Sequence, residues 1–134
     1  MLARDAARLN ALRALKSAIG YVQIEKKTDA LSEPDFIAVV QREVKKRRDS
    51  AQQFTDGGRT ELAANENFEI TVLETFLPQQ LSAEELEGLV RATIQELGAT
   101  DKKQMGAVMK AVQAKTAGRA EGKTISGIVG RLLP

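Results

Sequence analysis

The amino-acid sequence predicts an all-α protein. Leucine and alanine are abundant while runs of β-branched residues are scarce, and this composition favours helices over strands. Through most of the 134 residues, apolar residues recur three or four positions apart, which places them on one face of a helix. No segment alternates regularly between apolar and polar residues, so we expect no β-sheet.

Two long helices are predicted first. The first covers about residues 2–26, where an apolar seam recurs at helical spacing: Leu12, Leu15, Ile19 and Val22. Ser32 is a good N-cap for the second, with Pro34 in the first turn and Asp35 at the capping-box position. This helix is expected to end near residue 54, before two glycines. Its inner stripe is Phe36, Val40, Val44, Ala51 and Phe54.

A third helix is predicted over residues 60–77. Pro78 ends it, because the residue before a proline avoids the helical region. The apolar residues expected to face inward are Leu62, Phe68, Val72, Leu73 and Phe76. The glutamates expected to face solvent are Glu61, Glu66, Glu69 and Glu74. The break PQQLS then predicts a boundary between an N-terminal helical bundle, residues 1–78, and a C-terminal domain, residues 79–134.

The C-terminal domain is predicted to contain three shorter helices. Ser82 and Glu85 form a capping box for the fourth helix, which Gly98 closes. Asp101 is expected to cap a fifth helix that ends at Gly118, and a short loop around Gly122 leads to the last. The apolar residues of these helices include Leu86, Val90, Ile94, Val108, Val112, Ile125, Val129 and Leu133.

Positive charge is concentrated at the end of the chain. Residues 101–134 hold seven basic and two acidic residues, whereas residues 1–100 hold thirteen basic and sixteen acidic ones. A module of charge +5 beside a body of −3 suggests an anionic partner, and nucleic acid is the commonest large one. Two interpretations remain open for this segment. Its cations form a phosphate-binding surface, or they decorate the exposed end of a small helical domain in which Gly118 is a plain C-cap.

The spacing of these cations supports either interpretation. Lys103 and Lys110 are seven residues apart, which places them on one helical face, and Lys115, Arg119 and Lys123 surround two glycines. A second basic run, residues 45–48 of the second helix, is interpreted as a solvated face paired with glutamates of the third helix, and a phosphate-binding strip is the alternative. Because successive helical residues point about 100° apart, Arg47 or Arg48 must lie near the buried seam.

Several kinds of chemistry are excluded by composition. The chain has no cysteine and no histidine, so disulfides, thiolate nucleophiles and the commonest metal ligand are absent. The GKT triplet at residues 122–124 resembles a P-loop, but position 117 is alanine where that motif needs glycine, and no buried strand precedes it. We therefore expect no catalytic residues, no metal site and no cofactor.

The same composition bears on location. No apolar run approaches the roughly 18 residues of a membrane span, and charges interrupt any secretory core near the N-terminus. We expect a cytoplasmic protein without a membrane partner.

Four collinear segments resemble the YqeY family. They read LRALKSAIGYVQIEKK, VVQREVKKRRDSAQQF, GRTELAANENFEITVLETFLPQQLS and KQMGAVMKAVQAKTAGRAEGKTISGIVGRLL, and together they cover nearly the whole chain. That family shares its C-terminal module with the tail of GatB, the B subunit of the glutamine-dependent tRNA amidotransferase. The resemblance implies an N-terminal helical bundle and a small three-helix GatB/YqeY tail domain. Relative to the family pattern, we expect a shortened amino-terminal helix.

The resemblance also implies a partner. In GatB the related tail engages tRNA while other domains carry the chemistry, so we expect tRNA or another structured RNA as the partner of a non-catalytic accessory protein. The surface implied is Lys102, Lys103, Lys110, Lys115, Arg119 and Lys123. Two alternatives remain: a helical adaptor that docks on a protein such as an amidotransferase or synthetase, or a component of a carbon–nitrogen ligase that takes its amide nitrogen from glutamine.

Overall fold

The computed structural model describes residues 3–134 and contains, in that range, six α-helices and no strand. The prediction of an all-α fold is therefore confirmed. The helices are α1 (Ala3–Lys26), α2 (Glu33–Asp56), α3 (Thr60–Glu74), α4 (Ala83–Leu97), α5 (Met105–Thr116) and α6 (Gly122–Leu132), with a 3-10 turn at Lys102–Gln104. The predicted start of the first helix at residue 2 lies outside the described residues. The chain divides into two compact units, the first ending at Leu77 and the second spanning Pro78–Pro134.

In the first unit, α1, α2 and α3 pack against one another around one apolar core. The buried members of that core are Ala11, Leu15, Val22, Val39, Val40, Val44, Ile70, Val72 and Leu73. The Ser32 hydroxyl caps α2 by accepting a hydrogen bond from the backbone N–H of Asp35 at 3.3 Å. The Asp35 carboxylate in turn accepts a hydrogen bond from Lys26 Nζ at 2.9 Å, which ties the start of α2 to the end of α1.

Helix α3 differs from its prediction in which residues it buries. Glu66 and Glu69, predicted to face solvent, are half-buried, while Leu62 and Phe76, predicted to face inward, are 40% and 41% exposed. Ala63 and Ile70 occupy the core instead. The reason is that α3 contacts both α1 and α2, so its buried surface is wider than a single apolar stripe.

The predicted end of α3 was also wrong, by three residues. The helix ends at Glu74 rather than at residue 77. The backbone N–H groups of Thr75, Phe76 and Leu77 each donate to the carbonyl three residues earlier, at 3.0–3.3 Å. The chain therefore tightens into consecutive turns before Pro78.

The second unit is built from α4, α5 and α6. Its first helix, α4, begins with the N-cap that the sequence predicted. The Ser82 hydroxyl accepts from the N–H of Glu85 at 3.1 Å, and the Glu85 carboxylate accepts from the N–H of Ser82 at 3.3 Å, which completes the predicted capping box. Gly98 ends α4 in the left-handed conformation at φ 64°. The buried core residues are Leu86, Val90, Val108, Val112, Ala120, Ile125, Val129 and Leu133.

The segment that precedes α4 is tied to the loop between α5 and α6. Leu81 N–H donates to the carbonyl of Arg119 at 2.8 Å, and Gln80 Nε2 donates to the carbonyl of Gly118 at 3.0 Å. Helix α5 ends at Thr116, two residues before the predicted Gly118, because Ala117 already adopts the left-handed conformation. Gly118 continues this turn at φ 88°.

Across residues 3–134, no helix is both long enough and apolar enough to cross a bilayer.

Candidate nucleic-acid interface

All six cations predicted to form the binding surface are exposed on the second unit. Lys102 and Lys103 lie in the 3-10 turn before α5, and Arg119 lies in the loop beyond its other end. The twelve residues of α5 span about 18 Å at 1.5 Å per residue. Lys102 and Arg119 therefore flank opposite ends of α5, while Lys123 lies in the first turn of α6.

Lys115, in the last turn of α5, is paired within the protein. Its ammonium donates to the carboxylate of Glu96 on α4 and to the hydroxyl of Thr93 at 3.2 Å. Thr93 is fully buried, and its own hydroxyl donates to the carbonyl of Leu89 at 2.8 Å. Lys115 therefore links α5 to α4, and its charge is largely matched by Glu96.

Arg119 also has a structural role. Its Nε donates to the carbonyl of Gln79 at 3.0 Å, so it holds the segment before α4 through both its side chain and its backbone. The pKa of Glu85 is lowered mainly by hydrogen bonds from the side chain and the backbone of Ser82, and the Arg119 charge adds to the effect. Arg119 thus already has a carbonyl and a carboxylate as neighbours.

The second unit as a whole carries less positive charge than its C-terminal segment, because it also includes α4 with its carboxylates. Residues 78–134 hold eight basic and six acidic residues, a net +2 rather than the +5 of residues 101–134. Glu87 on α4 pairs with Arg91 at 2.7 Å and with Arg131 at 3.3 Å. The hydrogen bond from Arg91 has the largest effect in lowering the pKa of Glu87, and the hydrogen bond from Arg131 has the next largest. The charge contrast in the sequence therefore overstates the contrast on the folded surface.

Three of the six cations remain open to a partner. Lys102, Lys103 and Lys110 are exposed, and within residues 3–134 none of them forms an ion pair. Lys103 lies in the 3-10 turn and Lys110 in α5, which begins at Met105, so α-helical spacing alone does not place the two side chains on one face. Asp101 stabilises that turn by accepting from the N–H of Lys103 at 2.8 Å. The sixth cation, Lys123, is exposed in the first turn of α6 and has a partner within the protein.

The basic run on α2 contributes one buried charge, as expected for Arg47 or Arg48. The guanidinium of Arg47 donates to Glu43 at 3.1 Å and lies 3.6 Å from Glu69 of α3. Only 11% of the Arg47 side chain is exposed, and its Nε has no hydrogen-bond partner. The predicted pairing with glutamates of α3 is thus observed for Arg47, but in the interior of the first unit rather than on a solvated face.

Glu66, which was predicted to face solvent, is half-buried and is influenced by the charges of Glu69 and Arg47. Burial and the neighbouring charge of Glu69 raise the pKa of Glu66, while the charge of Arg47 opposes the shift. The signal in the sequence was the spacing of Glu66 and Glu69, which are three residues apart and therefore share a helical face. Their position on the packed side of α3 is a tertiary property.

Within residues 3–134, no group of three or more aspartates and glutamates is arranged to hold a metal ion.

Comparison with known proteins assigns the family. No curated protein sequence matches the chain. The family model described as Yqey-like protein matches residues 1–133, which is nearly the full length. The chain therefore belongs to the family of Yqey-like proteins.

Proposed function

We propose that this protein is a non-catalytic RNA-binding accessory protein and that tRNA is its RNA partner. The observation that carries the proposal is the set of exposed cations Lys102, Lys103 and Lys110, which have no ion pair within the described chain. Lysine ammonium groups of this kind contact phosphates without reading sequence. The choice of tRNA rests on the resemblance of the second unit to the amidotransferase tail.

The six predicted cations differ in how freely they could contact RNA. Lys115 and Arg119 are engaged by Glu96 and by the Gln79 carbonyl, so a phosphate would have to compete with these contacts. Lys102, Lys103 and Lys110 form no ion pair within the described chain that a phosphate would have to displace. We therefore assign the main phosphate contacts to Lys102, Lys103 and Lys110, and not to Lys115, Arg119 or Lys123, which have partners within the protein.

Titration of tRNA at two salt concentrations tests this assignment. Three phosphate contacts predict that the logarithm of affinity falls with the logarithm of salt with a slope of about −2 to −3. Replacing Lys102, Lys103 and Lys110 with alanine should abolish most of this slope and weaken binding at low salt. The matched control replaces Arg8, Arg13 and Lys16 on α1, which are exposed and have the same total charge. Equal losses in the two triple variants would contradict the assignment.

A protein-docking function is the second candidate, and one observation favours it. Tyr21 and Ile24 on α1 are 76% and 77% exposed and lie three residues apart, so they share one face of the helix. Exposed apolar side chains that adjoin one another are typical of docking surfaces. Affinity capture repeated after nuclease treatment tests this candidate. A protein that stays bound after nuclease but is lost from a Tyr21→Ser/Ile24→Ser variant would support the adaptor function.

The non-catalytic part of the proposal has its own test. Glutamine hydrolysis by the purified protein, above that of a mock preparation, would contradict it and would favour a component of a carbon–nitrogen ligase.

A further inference from the structure

An open groove of about 420 Å³ lies in the second unit, between the C-terminal end of α4 and the end of α6. Its size falls within the usual range for small-ligand sites. The residues that line it combine aliphatic, polar and cationic groups: Ile94, Ala99 and Leu132, then Gln95 and Thr100, then Arg91.

One wall of the groove is fixed by hydrogen bonds. The side-chain oxygen of Gln104 accepts from the backbone N–H of Thr100 at 2.7 Å and from that of Asp101 at 3.3 Å. The backbone that carries Thr100 is therefore held in place before any ligand arrives. Such pre-organisation lowers the entropic cost of binding.

The polar side chains of the groove are available. Within residues 3–134, neither the amide of Gln95 nor the hydroxyl of Thr100 makes a hydrogen bond. An amide offers both donors and an acceptor, and a hydroxyl offers one donor and acceptor sites. Together they match the mixed edge of a nucleobase, which also presents donors and acceptors side by side.

The charge around the groove favours an anionic ligand. Arg91 and Arg131 share the carboxylate of Glu87, and Asp101, which follows Thr100, is itself followed by Lys102 and Lys103. These residues together carry four positive and two negative charges. Thr100 is followed two residues later by Lys102, so their Cα atoms are at most about 7.6 Å apart. Lys102 and Lys103 are also two of the cations assigned to phosphate contacts above.

We propose that the groove accommodates one unpaired nucleotide of the bound RNA. The base lies on the aliphatic floor and its edge meets Gln95 and Thr100, while its phosphates face Lys102 and Lys103. Residues 78–134 contain no aromatic residue, so the guanidinium plane of Arg91 supplies the stacking surface that an aromatic ring supplies in many RNA-binding domains. This inference rests on the proposed function and adds the class of RNA that is recognised: a helical RNA with an unpaired segment.

The test compares two RNAs, a blunt-ended hairpin and the same hairpin with a short unpaired 3′ extension. The wild-type protein should bind the extended hairpin severalfold more tightly, because only the extension offers the groove an unpaired base to stack on Arg91 and to contact Gln95 and Thr100. A Gln95→Ala/Thr100→Val variant should lose this advantage while it keeps its affinity for the blunt hairpin and its salt slope. The control is Gln113→Ala/Thr124→Val, which makes the same chemical changes at exposed positions outside the groove.

The outcomes separate the two proposals. Equal affinity of the wild-type protein for both hairpins, or an undiminished advantage in the groove variant, would overturn the nucleotide groove and leave the phosphate contacts intact. A protein that bound neither hairpin would overturn the proposed function and the groove together.

Discussion

The ammonium of Lys115 on α5 donates to the carboxylate of Glu96 on α4. A cation that the sequence predicted to contact a partner therefore forms an ion pair within its own domain. The two residues are nineteen positions apart and meet only because α4 and α5 pack together. This ion pair is one reason why residues 101–134 contain more cations than are free to contact a partner. If the proposed RNA-binding function holds, a change at Glu96 should alter RNA affinity.

Replacement of Glu96 by glutamine should strengthen tRNA binding severalfold. The change removes one negative charge and releases the ammonium of Lys115, which adds about one phosphate contact and steepens the salt slope by about 0.7–1. Titration at several salt concentrations measures both effects. The control is Glu84→Gln, which removes the same charge from an exposed position in the first turn of α4. Identical changes in slope for the two variants would show that Lys115 is not released into the interface.

Replacement of Arg47 by methionine should destabilise the first unit by about 2–3 kcal/mol, because it removes the main partner of two buried carboxylates. Lys46, which is exposed, still pairs with Glu43 at 3.2 Å. The carboxylates left behind belong to Glu43, which is 5% exposed, and to Glu69. Urea unfolding followed by circular dichroism measures the loss. The same change at Lys45, an exposed neighbour on α2, should have little effect.

A triple variant separates the cost of unpaired charge from the loss of packing. With Glu43 and Glu69 also replaced by leucine, the buried charges disappear and most of the stability should return, since apolar replacements of buried ion pairs are often neutral or stabilising. A triple variant as unstable as the single one would assign the loss to the shape of Arg47 rather than to charge.

Local signals account for most of the helices. The capping box of Ser82 and Glu85 and the left-handed Gly98 appear where the sequence places them, because each depends on neighbours within a few residues. Pairings between helices could not be predicted in this way. Whether Glu96 meets Lys115, or Glu69 meets Arg47, depends on helix packing and register rather than on local spacing.

The same distinction between local signals and helix packing applies to the candidate site. Sequence placed the cations on the last part of the chain, but it did not separate the open Lys110 from the paired Lys115 on the same helix. The groove was also missed, because its lining comes from the end of α4, the residues that follow it, and Leu132 in α6.

Replacement of Glu66 by glutamine should stabilise the first unit at neutral pH. Burial and the charge of Glu69 raise the pKa of Glu66 in the folded state. A carboxyl with a raised folded pKa opposes folding when it is ionised, and this opposition disappears as the pH falls through that pKa. The glutamine has no charge to bury, so the gain should be below about 1 kcal/mol for this half-buried side chain and should vanish on acidification.

Unfolding free energies measured from neutral to acidic pH test this expectation. The exposed Glu25 on α1, changed to glutamine in the same way, should shift stability by less than about 0.5 kcal/mol. A gain from Glu66→Gln that stayed constant at all pH values would mean that it does not arise from the ionised carboxylate.

Replacement of Ala117 by glycine should stabilise the second unit. Ala117 ends α5 in the left-handed conformation, at φ 48° and ψ 47°. A Cβ atom in that region costs roughly 1–2 kcal/mol, and glycine removes this cost while it loses about 0.5–1 kcal/mol of conformational entropy on folding. The side chain is exposed, so little packing is lost, and the net gain should be about 0.5–1 kcal/mol.

Thermal unfolding followed by circular dichroism measures this gain, and Ala107→Gly is the matched control. Ala107 is exposed in the first turn of α5 and is helical, so the same substitution there should lower stability, by up to about 1 kcal/mol. Opposite signs for the two identical substitutions, one within α5 and one at its C-cap, would assign the effect to backbone conformation. Losses of similar size at both positions would instead mean that the turn at Ala117 and Gly118 stores no strain that glycine can relieve.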